Sequence, residues 1–129
     1  CNVEGIFAQY LFAVPAVKGV DFGAGVALSL MRGSEANDPF AVRDGKIVTT
    51  TNHAGGINGG ITNGMPVTFE VTMRPTPSIA LPQRSVDLRT GEEVEIAVKG
   101  RHDPCIVHRA VPVIEAAAAL AACAELGIG

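Results

Sequence analysis

Asn52-His53-Ala54-Gly55-Gly56-Ile57-Asn58-Gly59-Gly60-Ile61-Thr62-Asn63-Gly64 is the stretch around which the chain is organised, and it leads through Val67–Met73 into Arg74-Pro75-Thr76-Pro77-Ser78. Four glycines fall between Gly55 and Gly60. Glycine loses more backbone freedom on folding than any other residue, so such density is tolerated where φ must be positive or where another group approaches the main chain. Val67, Phe69, Val71 and Met73 alternate with Thr68, Glu70 and Thr72, the period of a half-buried strand. The segment after it combines a cation, two hydroxyls and two rigid prolines, parts that can hold an anion such as a phosphate. The glycine run lacks the Gly-Lys-Ser/Thr ending of a Walker A loop and does not fit Gly-x-Gly-x-x-Gly. Its free N–H groups can still form an anion-binding concavity, and a plain connection fits the same residues.

Outward from that stretch the punctuation is regular. Asn2 is placed to cap a helix running to about Ala13, with Val3, Ile6, Phe7, Tyr10 and Leu11 at helical spacing and Pro15 as its stop. Val17–Phe22 reads as a short strand, and Val26–Met31 as a helical turn or a buried run. Residues 32–39 read as a polar loop, and Asp44-Gly45 signals a hairpin that delivers the strand Ile47–Thr51 into the glycine run. Pro75, Pro77 and Pro82 keep the next segment irregular, and Ser85–Leu88 and Val94–Val98 flank Thr90-Gly91 as a second hairpin. Pro112 and Glu115 fit the first turn of a closing helix, Val113–Leu126, which is apolar on nearly all faces and predicts burial between layers or at a subunit contact. Gly127 supplies its stop. The fold class expected is α+β with mostly antiparallel strands.

Composition narrows the function. The 129 residues make one domain or part of one, with 47% hydrophobic and only 5% aromatic content, hence an aliphatic, alanine-rich core. A net charge of −3 and no basic run interleaved with aromatics argue against nucleic acid as a partner. The three cysteines, Cys1, Cys105 and Cys123, and the histidines His53, His102 and His108 form no metal-ligand spacing. Free thiols in a reducing, cytoplasmic compartment and no metal are therefore expected. The apolar block Ala116–Ala124 is too short to span a membrane. The chain starts at Cys1 with a helical pattern already under way, as a fragment does.

A second anchor is Gly100-Arg101-His102-Asp103-Pro104-Cys105 continuing to Glu115. A fixed cation, a switchable base and a carboxylate share one loop before a helix, which suits proton transfer beside a bound anion. An ion pair capping the helix fits equally.

Taken together, Asn52–Asn63, Arg74–Ser78, Arg32-Gly33-Ser34-Glu35, Val14–Gly23 and the Arg101–Glu115 run resemble chorismate synthase, in the expected order and over essentially the whole chain. The resemblance implies a layered sandwich of helices and antiparallel sheets, of which this chain is the C-terminal part. It implies a lyase of the shikimate pathway, leading to aromatic amino acids. The reaction converts 5-enolpyruvylshikimate 3-phosphate to chorismate by anti-1,4-elimination of phosphate, with reduced FMN but no net redox change. NADP would serve flavin reduction, by the enzyme itself or by a partner reductase. A homotetramer is implied, with a phosphorylated small molecule as substrate and neither membrane nor nucleic acid as partner. Residue by residue, Pro15, Ala16 and Gly59 would lie at the flavin. Arg74, Pro75, Thr76, Pro77 and Ser78 would wrap the FMN phosphate and its tail. Arg101 would face flavin or substrate phosphate, and the catalytic Asp103 would sit near flavin N5 and help handle the proton.

The chain departs from the family pattern in three places. Arg74 stands where lysine is usual, keeping the charge but changing its geometry. His108 stands where proline is common. The length matches only the C-terminal portion, without the half expected to hold two catalytic histidines and most substrate-binding arginines. The isolated chain is therefore expected to be inactive as a lyase. Two other readings are a stand-alone flavin- or phosphate-binding module and an assembly domain built on the alanine-rich helix and the segment from Arg32.

Overall fold

Asn2 begins the first helix, as its position predicts: its Oδ1 accepts the Gly5 N–H at 2.6 Å. The computed structural model describes residues 2–128, so Cys1, counted above among the free thiols, lies outside the described residues. Cys105 and Cys123 are free. In chain order the elements are α1 (Val3–Phe12), β1 (Val17–Phe22), a 3-10 turn (Gly25–Leu30), α2 (Gly33–Ala36), β2 (Phe40–Arg43), β3 (Lys46–Thr49), β4 (Ile57–Asn58), β5 (Ile61–Thr62), β6 (Phe69–Met73), β7 (Gln83–Val86), β8 (Glu93–Ile96) and α3 (Val107–Glu125). Every strand pairing among the described residues is antiparallel and every sheet has two strands, in keeping with the α+β expectation. Two compact units result, one of the chain up to Arg74 together with the segment from Val111 onward, the other of Pro75–Ala110.

The first unit holds the core. Helical spacing puts Val3, Phe7 and Leu11 on one face of α1, where they are buried with Ile57, Ala117 and Ala121. Among the described residues Leu11 is the one large side chain wholly shut from solvent. β1 pairs with β6, Phe22 opposite Phe69 and Val20 opposite Val71, with a register shift between Val17 and Gly19. The alternation read in β6 holds: Phe69, Val71 and Met73 are half-buried while Glu70 and Thr72 face solvent. The Phe69 ring lies 5.9 Å from that of Phe7 and 6.0 Å from that of Phe22, tilted in both cases, a favoured aromatic geometry. β2 and β3 form the expected hairpin over Asp44-Gly45, with Arg43 opposite Lys46.

The second unit is lighter. β7 and β8 pair around the Thr90-Gly91 turn, and the proline-rich lead-in has no regular structure.

Three expectations are corrected and one alternative is decided. Residues 32–39 are not all loop: Gly33–Ala36 form one helical turn, because Glu35 Oε2 accepts the Arg32 N–H at 2.8 Å. Of the two readings of Val26–Met31 the helical turn holds, as the 3-10 turn Gly25–Leu30, with Val26 and Leu30 exposed. α3 begins at Val107, so Pro112 sits inside it and Glu115 beyond its first turn; the Ile106 carbonyl accepts from both Arg109 and Ala110 N–H and starts the helix early. Nor is α3 buried all round. Ala117 and Ala121 are buried, while Val111, Val113 and Leu120 are about half exposed, since α1 offers it a single face. At 19 residues α3 is also long and apolar enough to cross a membrane, unlike the shorter block read from sequence; in this structure Ala117 and Ala121 join the core with α1. Its end is as expected. Gly127 takes φ 66°, and the N–H groups of Ile128 and Gly127 reach the Cys123 and Ala124 carbonyls, a Schellman closure.

Candidate functional site

The residues singled out by sequence fall at three places. The first is where α1 gives way to β1. Pro15 is exposed and Ala16 half-buried. Ala16 holds φ 72°, left-handed backbone that costs an L residue roughly 1–2 kcal/mol. Its carbonyl accepts the Arg74 N–H at 2.7 Å, extending the β1–β6 ladder past the register shift. The structure therefore brings Ala16 and Arg74 together. The Arg74 side chain is exposed and makes no ion pair among the described residues.

The second place is the glycine run. Gly59 and Gly60 form the turn of the small β4–β5 hairpin, at φ 59° and 83°. They differ in surroundings. A Cβ on Gly60 would fall 2.4 Å from Asn2 Cβ, whereas one on Gly59 would meet nothing within 4 Å. Gly59 alone of the two leaves room for a flat group against its backbone. Gly55 has a different duty: its added Cβ would lie 2.4 Å from the Gly23 nitrogen, so main chain packs directly on main chain there. Gly60 also accepts the Val3 N–H, which fixes this turn at the N-terminal end of α1. Ala16 and Arg74 lie beyond the other end, about 15 Å away by the rise of a ten-residue helix. A compact ligand touches one place or the other; only an extended one spans them.

The third place lies in the second unit. Thr76 is half-buried, and its hydroxyl oxygen is shut from solvent with no hydrogen-bond partner among the described residues. Pro75, Pro77 and Ser78 are exposed. Arg101 is exposed, without an ion pair among the described residues. Asp103 is engaged: its Oδ2 accepts from Arg109 Nη1 at 2.8 Å. His102 Nε2 lies 3.1 Å from the Val98 carbonyl oxygen. The ion pair weighed for this loop thus exists, between Asp103 and Arg109.

One buried group escaped the sequence reading. Asp38, placed in the polar loop, is 4% exposed at its side chain. It accepts from the Thr51 hydroxyl at 2.6 Å and from the His53 and Ala54 N–H groups at 2.8 Å each. His53 Nδ1 stands 3.4 Å from the same carboxylate. Burial works against its charge, but the Thr51 hydroxyl, the two N–H groups and the nearby imidazole outweigh it and hold the carboxyl below its ordinary range. Nothing in the order of residues distinguishes Asp38 from Glu35 or Asp44, which stay exposed. A separate open cavity of about 290 Å³ is lined by the cross-strand carboxylates Asp21 and Glu70, a poor setting for phosphate. No cluster of three metal-ligating side chains occurs among the described residues.

Known proteins similar to this chain fall in one family. The profile of the family described as "Chorismate synthase" matches residues 2–126. The chorismate synthase of Thermococcus gammatolerans is 56% identical over 115 residues, 89% of this chain and 32% of that protein. The one from Pyrococcus abyssi is 56% identical over 114 residues, 88% and 32% respectively. A solved structure described as "Crystal Structure of Chorismate Synthase" superposes with a TM-score of 0.57 at 36% identity, covering 60% of this chain and 23% of that one. The chain spans about a third of the length of the curated relatives it matches.

Proposed function

The chain belongs to the chorismate synthase family, and from that premise we propose that it carries the flavin-holding part of a lyase converting 5-enolpyruvylshikimate 3-phosphate to chorismate and phosphate. The observation that carries the reading is the strained Ala16, held against Arg74 where the family resemblance puts cofactor contacts. Strain of this kind persists only where the surrounding structure fixes it, and it gathers at ligand sites.

FMN fits the residues present. The Arg74 guanidinium is free to grip phosphate through its fork. The Thr76 hydroxyl needs a partner, and a phosphate oxygen supplies one. Gly59 leaves its backbone open to a flat ring. Reduced FMN, when bound, supplies the electron-rich surface that lets phosphate leave without net redox change. The chain's own residues bind and orient: with the ring at Gly59, Pro15 and Ala16 border the far end of an extended cofactor beside Arg74; Pro75, Pro77 and Ser78 take up its phosphate tail; and Arg101 offers a cation to flavin or substrate phosphate. Asp103, fixed by Arg109, is an acceptor for the ring hydrogen that leaves as a proton. In this reading the protein works in the cytoplasm, within a homotetramer, on a small phosphorylated substrate.

Because the chain spans about a third of its relatives, it is expected to bind FMN but to make little or no chorismate alone. Two measurements test this. An assay with pre-reduced FMN should give no turnover above background, and robust chorismate production would overturn the division of labour. Quenching of FMN fluorescence should be lost in an Arg74→Ala/Thr76→Ala variant. Unchanged binding there would rule out that phosphate grip.

A further inference from the structure

We propose that Asp38 is a positioning residue for the glycine-rich loop, holding its entrance so that Gly59 is presented to the flavin. The proposal rests on the flavin reading for its ligand, but not for its geometry. Asp38 is remote in sequence from the residues it grips. It accepts from one hydroxyl and two main-chain N–H groups, those of Thr51, His53 and Ala54, in the four-residue stretch that leads from β3 to the glycines. A buried carboxylate can accept several donors at once, and each bond to it is charge-assisted.

The grip passes onward through the main chain. The His53 carbonyl, fixed by the same residue, accepts the Ala24 N–H at 2.8 Å. Gly55 then lies directly on Gly23 and bonds Thr68 through its carbonyl. Asn52 Nδ2 donates to the Pro66 carbonyl at 2.9 Å, clamping the two limbs of the loop together. With Asp38 gone, two main-chain donors at the loop entrance lose their acceptor, and unpaired buried donors drive local rearrangement. Gly59 itself meets no neighbour, while Gly60 beside it is tied to α1 by the Val3 N–H, so Asp38 and that bond hold the two ends of the run. Asp38 thus limits the conformations Gly59 samples before ligand arrives, which is preorganisation.

The test uses this chain with Asp38→Asn, Thr51→Val and, as a control for general destabilisation of the same unit, Ala121→Gly. Amide NMR reads the His53 and Ala54 N–H groups directly. In the wild type both signals should shift as the carboxyl is titrated with acid and both should exchange slowly with solvent. In Asp38→Asn the titration should vanish and exchange accelerate at His53 and Ala54, with the α1 amides unchanged. The FMN dissociation constant should rise about tenfold in Asp38→Asn and less in Thr51→Val, while Ala121→Gly leaves it within about twofold; immobilising a loop in its bound form is worth this order of affinity. Full protection of His53 and Ala54 in Asp38→Asn would overturn the proposal, as would equal weakening of FMN by Ala121→Gly. A wild-type chain with the amide signature but no FMN binding would refute the flavin reading and leave the loop-holding role standing.

Discussion

Replacing Gly60 by alanine should destabilise the first unit more than the same change at Gly59, its neighbour in one turn. Both positions hold left-handed backbone, which costs an alanine roughly 1–2 kcal/mol. At Gly59 that is the full expected loss, because an added Cβ meets no atom within 4 Å. At Gly60 the Cβ would fall 2.4 Å from Asn2 Cβ, and the cap residue must move. Two bonds are then at stake: the 2.6 Å bond from the Gly5 N–H to Asn2 Oδ1 and the 3.1 Å bond from the Val3 N–H to the Gly60 carbonyl. An N-cap contributes about 1 kcal/mol and a main-chain hydrogen bond about 1 kcal/mol. Gly60→Ala should therefore cost roughly 3–4 kcal/mol, about 2 more than Gly59→Ala, or roughly 7 °C in Tm for a chain of this length. Urea unfolding followed by far-ultraviolet circular dichroism measures both, and Gly59→Asn should lose least, since asparagine tolerates this backbone. Equal losses at the two positions, or a larger loss at Gly59, would refute the close contact between the turn and the helix cap.

Three further outcomes are expected. The Asp38 carboxyl is held below its unfolded value of 3.8, so its ionised form contributes stability that is fully present above that pH and lost as pH falls through the lower folded value. The urea midpoints of wild type and Asp38→Asn should differ by a constant amount from pH 7 to about pH 5 and converge below pH 3.8; a gap that widens in acid contradicts the assignment. Pro112 removes the N–H that would reach the His108 carbonyl inside α3, so Pro112→Ala should raise stability by about 1 kcal/mol, read as a higher urea midpoint. Arg109→Ala removes an ion pair whose arginine is 72% exposed, and should cost less than about 1 kcal/mol; a larger loss in thermal melts would mean the pair is more than a surface contact.

What was legible in the sequence follows the range of the forces involved. The Asn2 cap, the Asp44-Gly45 hairpin, the alternation in β6 and the closure at Gly127 are decided by residues within a few positions of one another, and each stands where the sequence predicts it. The start of α3 was misplaced because Pro112 is a strong local signal for a first turn, while the bonds to Ile106 that begin the helix depend on where the preceding loop ends. Asp38 was illegible for the opposite reason. Its donors come from Thr51–Ala54, and only closure of the β2–β3 hairpin brings them to it. The strain at Ala16 is likewise invisible locally, since no property of alanine asks for left-handed backbone; it follows from pairing with Arg74 far along the chain.

That pairing sets an order of assembly. The β1–β6 ladder joins the two ends of a long loop, and everything from the 3-10 turn to the β4–β5 hairpin hangs inside it. Local hairpins zip in microseconds, whereas contacts between remote segments wait on the entropy of closing the chain. The bond between Ala16 and Arg74 lies at the far margin of this ladder, so the left-handed backbone at Ala16 is set only when the distant segments have met. A ligand that needs Ala16 and Arg74 side by side will recognise the closed ladder and not the chain before it, so its association during refolding will wait on that long-range pairing.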